Sequence, residues 1–120
     1  MTTTTAAFTE HPPVPRVLQE ALRDCPELIA RLQQALQRVG LHPDMSREER
    51  TDQFEAAIGL LEGGLDMFFS NAVQELRSAE ATGDAALIAK ATEKERLMSR
   101  CCHQKSWVDD LMTFFRWGQD

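Results

Sequence analysis

Two long runs of helix-period apolar residues meet at one break, Ala81-Thr82-Gly83-Asp84, and this constrains the fold more than any other feature of the chain. Before the break, Phe54, Ile58, Leu61, Leu65, Phe68, Ala72 and Leu76 recur at steps of three and four. After it, Leu87, Ala91, Leu97, Met98, Cys101, Val108, Leu111, Met112 and Phe115 continue helical spacing up to Gly118. Such spacing lays one apolar stripe along each of two helices. Gly83 supplies a stop and Asp84 a cap for the second helix, and so short a connection turns that helix back along the first. Folding the chain about Gly83 sets Phe68 near Leu97 and Met98, Leu65 near Cys101, Ile58 near Val108, and Phe54 near Leu111 and Met112, apolar against apolar throughout. Upstream, Ser46 and Glu49 have the spacing of a capping box that opens the first long helix.

Two shorter helices precede this pair. Val14, Val17, Leu18, Ala21, Leu22 and Cys25 follow helical spacing around Pro15; Leu28, Ile29, Leu32, Ala35, Leu36 and Val39 do so after Pro26, which Asp24 or Cys25 caps. Proline is tolerated at a first helical position because its missing N–H would have no partner there. Gly40 reads as a left-handed stop, and the Leu41–Met45 stretch as a loop. The expected fold class is all-α: a four-helix bundle built on a long antiparallel helical hairpin (about 47–81 and 84–116), with two shorter helices (about 15–25 and 26–39) packed against it. Residues 1–13, Thr-rich and then Pro-rich, read as a tail that is flexible, extended or docked weakly through Phe8; residues 14–118 read as a single helical domain.

Composition narrows the function classes. A chain of 120 residues is long enough for one core and too short for two. Thirteen Lys and Arg against nineteen Asp and Glu give a net charge of -6, which opposes long-range attraction to nucleic acid or an anionic membrane. No run approaches the roughly 18 apolar residues of a membrane span, so no membrane insertion is expected, and the start lacks the features of a secretory signal. The expected location is the cytoplasm. With three cysteines, at least one of Cys25, Cys101 and Cys102 is unpaired, and reduced thiols are the simpler reading.

The vicinal pair Cys101-Cys102 and the adjacent His103 invite a metal or thiol role. Successive helical residues are rotated by about 100°, which points Cys101 into the stripe, Cys102 to its flank and His103 outward. They cannot share an ion, and nothing in the spacing recruits Cys25, His11 or His42 to them. No Glu-x-x-His pair, phosphate-binding loop or Ser, His and Asp arrangement occurs. The chain is read as not an enzyme, with no catalytic, cofactor-binding or metal-binding residues and no cofactor.

Two surfaces remain. Gly59 and Gly63 lie one turn apart on the side away from Leu61, with Met67 continuing the line. Glycines inside a helix cost about 1 kcal/mol each relative to alanine, so a compensating neighbour is expected. The two N-terminal helices are the expected one, with a bend at Gly63-Gly64 or a partner chain as alternatives. At the other end, Trp107, Leu111 and Phe114 form a second stripe about 100° from Phe115, and Trp117 comes after it. The functional expectation is a non-enzymatic helical protein-protein interaction or assembly module, an accessory, chaperone-like or regulatory adaptor. Its partner is another protein or a second copy in a homodimer, and its interface Gly59, Gly63, Met67, Trp107, Phe114 and Trp117. The alternative is a nucleic-acid-associated regulator contacting anions through Arg96, Arg100 and His103, which fall on one outward line; a thiol or metal sensor through Cys102 comes last.

Overall fold

The structure is a computed structural model, and it describes residues 10–103 and 106–116. Phe8 and Trp117 lie outside them. Among the described residues there are five helices and no strand: α1 (Arg16–Ala21), α2 (Pro26–Leu36), α3 (Arg47–Thr82), α4 (Ala85–His103) and α5 (Trp107–Arg116). The chain divides into two compact units, one made of the segment up to Leu61 together with the segment from Ser106 onward, the other of Glu62–Lys105. Helix α3 contributes its first turns to the first unit and its later turns to the second.

In the first unit, α1 is preceded by Pro15, whose carbonyl accepts from the N–H groups of Leu18 and Gln19, both at 3.0 Å. The exposed N–H of Arg16 is taken by the Asp110 carboxylate of α5 at 2.9 Å. That is a helix cap supplied from across the unit, where α1 packs against α5. The helix is shorter than its apolar spacing implies, because residues 22–24 leave it in a turn before Cys25 caps α2 with Pro26 in the first helical position. Leu28, Leu32 and Leu36 of α2 are buried at successive turns, joined in the core by Val14, Leu18, Leu22, Ala57, Leu61, Trp107, Leu111 and Phe115. Phe54 of α3 meets Phe115 edge-on, with ring centres 5.8 Å apart.

Gly40 is not the left-handed stop read from its position. Helix α2 ends at Leu36 through tight turns, Arg38 N–H to Ala35 carbonyl at 3.1 Å and Val39 N–H to Leu36 carbonyl at 3.2 Å, and the chain then extends. Leu41 exchanges both backbone bonds with Glu10, each at 2.7 Å, as an isolated antiparallel bridge. Gly40 is buried beside it, with its N–H donated to Gln53 Oε1 of α3 at 2.9 Å.

The second unit contains the break at Gly83, where φ is +73°. Asp84 Oδ1 then accepts from the N–H groups of Ala86 (2.9 Å) and Leu87 (3.3 Å), a side-chain cap that starts α4. Leu65, Phe68, Ala72 and Ala79 of α3 and Met98 and Cys101 of α4 are buried, and Glu75 of α3 pairs with Lys94 of α4 at 3.2 Å. The long helix thus packs against its successor. The expected helix over 84–116 is, however, two helices, α4 ending at His103 and α5 starting at Trp107. No helix among the described residues is long and apolar enough to cross a membrane.

Candidate interaction surfaces

The most closely built constellation in the first unit is a clip for the segment ahead of α1. The Gln33 side chain, half-buried on α2, uses both ends of its amide: Oε1 accepts from Val14 N–H at 3.0 Å and Nε2 donates to the Pro12 carbonyl at 3.0 Å. His11 Nδ1 lies 2.7 Å from the Val39 carbonyl, and Gln19 Nε2 donates to the Val14 carbonyl at 2.7 Å. Residues 10–15 are thereby fixed along the unit with Pro12, Val14 and Pro15 buried. Apolar periodicity gives no sign of this clip, since a glutamine on a helix face reads as solvent-exposed.

The capping box forms at the start of α3. Ser46 N–H donates to Glu49 Oε1 at 2.9 Å and Glu49 N–H donates to Ser46 Oγ at 3.1 Å. The backbone bond from Ser46 is the main cause that holds the Glu49 carboxyl below the usual carboxylate range, with the Ser46 hydroxyl and the charge of His42 adding to it. His42, Glu49 and Arg38 line a polar cleft of about 280 Å³.

The structure scatters the sequence-derived interface residues among different environments. Trp107 is fully buried in the first unit with Leu111 and Phe115, so its ring belongs to the core. Phe114 is half-buried, edge-on to Phe115 with ring centres 5.1 Å apart, and borders a shallow cleft with Pro13, Pro15 and Val17. Gly59 is exposed, and a Cβ there would meet nothing within 4 Å, so α1 and α2 do not cover it as expected. In the second unit Gly63 is equally open, and Met67 is 57% exposed.

The vicinal thiols separate as helix geometry requires: Cys101 is buried, Cys102 is half-buried, and His103 is exposed with Nδ1 2.7 Å from the Ser99 carbonyl. Among the described residues no three His, Cys, Asp or Glu side chains converge on a position for a metal ion. Arg96 and Arg100 are exposed one turn apart on α4. Leu87, read from sequence as part of the buried stripe, is instead 48% exposed beside a cleft between α3 and α4. Comparison with family models, with curated proteins and with solved structures finds no match for this chain.

Proposed function

We propose that this chain is a non-enzymatic helical module that binds another protein by helix-to-helix contact, on a scaffold in which α3 and α4 form a long antiparallel hairpin. The observation that carries the reading is the open face of α3: Met67 is 57% exposed, and a Cβ on Gly63 would meet nothing within 4 Å beyond its own stretch of helix. Gly59, one turn earlier on the helix, is open in the same way. Glycine weakens a helix interior by about 1 kcal/mol relative to alanine, and among the described residues no packing against Gly63 offsets that loss. A second helix approaching closely at Gly63 would offset it, with Met67 as an adaptable apolar anchor.

A photo-crosslinking side chain at position 67, introduced in the full chain in cells, tests this. The expected outcome is a discrete adduct with one protein, lost when Gly63→Leu fills the face. Labelling no stronger than at the exposed control position Glu80 refutes the proposal.

The competing reading rests on Arg96 and Arg100, both exposed and one turn apart on α4, as phosphate contacts. Oligonucleotide binding that falls steeply with salt and disappears in the Arg96→Glu, Arg100→Glu double variant would favour it instead.

A further inference from the structure

Within the second unit, the last turns of α3 and the first turns of α4 border a cleft of about 590 Å³. It exists because the residues that face each other near the Gly83 turn are short: Ala79 and Ala91 cannot fill the space their helices leave. Leu87 stands at its edge, 48% exposed, and with Met67 it is one of the two large apolar side chains left exposed among the described residues. The walls carry opposite charge. Glu75 lines the α3 side, Lys90 and Lys94 the α4 side, and the Glu75–Lys94 pair at 3.2 Å ties the two helices together. Lys90, one turn before Lys94, is exposed and has no ion pair among the described residues.

We propose that this cleft is a self-association surface in which two copies of the chain meet about a two-fold axis. Leu87 of each copy seats over Ala79 and Ala91 in the cleft of the other. Lys90 of each reaches Glu75 of the partner subunit. Three features select a second copy over a foreign partner. An isologous contact requires a patch complementary to itself, and here the projecting leucine and the hollow that fits it sit side by side on one surface. A partner of a single charge sign would meet repulsion at one wall, whereas a rotated copy presents a cation to the anionic wall and an anion to the cationic one. Glu75 is half-exposed, and its carboxylate has acceptor sites beyond those Lys94 uses. The cleft begins two turns beyond Met67 along α3, and its lining includes neither Met67 nor Gly63, so the contact does not use them.

The test is sedimentation of the full chain from micromolar to near-millimolar concentration. The wild type should pass from monomer to dimer. Leu87→Asp should weaken association by about tenfold or more, because it places a charge in an apolar hollow. The same substitution is tolerated by the fold, since an acidic residue in the first turn of α4 suits the helix dipole, and far-UV circular dichroism should be unchanged. Lys90→Glu should also weaken the dimer, with an effect that grows at low salt. Met67→Asp should leave it intact. A wild type that stays monomeric at every concentration overturns the proposal. So does a dimer indifferent to both Leu87→Asp and Lys90→Glu; its loss on Met67→Asp would place self-association on the α3 face. A monomer that loses a separate partner protein on Leu87→Asp assigns the cleft to that protein and equally overturns it.

Discussion

Replacing Gly59 and Gly63 by alanine should stabilise this protein, and by an amount its geometry fixes. Both glycines lie inside α3, neither has a left-handed backbone, and a Cβ at either would meet nothing within 4 Å. The substitution therefore adds no clash and gains the full helix-propensity difference, about 1 kcal/mol at each site. Unfolding entropy near the midpoint is about 2.1 cal/mol/K per residue, so the whole chain carries about 0.25 kcal/mol/K and each alanine should raise Tm by about 4 °C. Each change acts through its own backbone propensity, so the pair should raise Tm by about 8 °C. Scanning calorimetry at low micromolar concentration, supported by urea titration with an unchanged slope, measures the effect. A fall in Tm for either variant at dilution would refute the open-face geometry. A rise at dilution that turns into a fall at high concentration would show instead that a second helix closes on the glycines when chains associate.

Two hydrogen-bonded groups give further tests. Gln33→Met keeps the side-chain volume but strips the Pro12 carbonyl and the Val14 N–H of their partner; it should cost about 2 kcal/mol in urea unfolding and speed exchange of the Val14 amide, and a loss near zero would show that the clip is not formed in solution. Glu49, with its pKa lowered in the folded state by the Ser46 bond, should contribute stability that is fully present above its unfolded pKa and lost as pH falls through its folded one; Glu49→Gln should remove that component of the stability-pH curve, and identical acid limbs for the two proteins would contradict the assignment.

The parts of the fold that were legible in sequence are those set by neighbours a few positions apart. The Ser46–Glu49 capping box, the Gly83 turn and the Asp84 cap each depend on residues within a turn of one another, and each appears where its spacing places it. The burial of Cys101 and the exposure of His103 follow from the same local rotation. Periodicity ran through the change from α4 to α5 because Cys101, Val108 and Leu111 stay in phase across it, and a stripe records phase, not hydrogen bonds. Phe54 meets Phe115, which lies on α5 one turn beyond Leu111. Nothing local announces that Gln33 will read the backbone around Pro12, or that Asp110 will cap α1 from 94 positions away. Leu87 was misplaced for a related reason: it has the right phase to be buried, but the alanines around it lack the bulk to bury it.

The first unit is assembled from two separated stretches of chain, with the residues of the second inserted between them. During synthesis the second can therefore close as soon as its own sequence has emerged, whereas the first must wait for α5, with Leu18, Leu22 and Leu32 still lacking Trp107 and Leu111 as companions. Asp110, which completes α1, is made 94 positions after Arg16, so the earliest helix of the unit is the one whose start is finished late. A chain cut short before residue 106 would have one finished half and one sticky half, and the addition of a single ten-residue helix converts the second into the first.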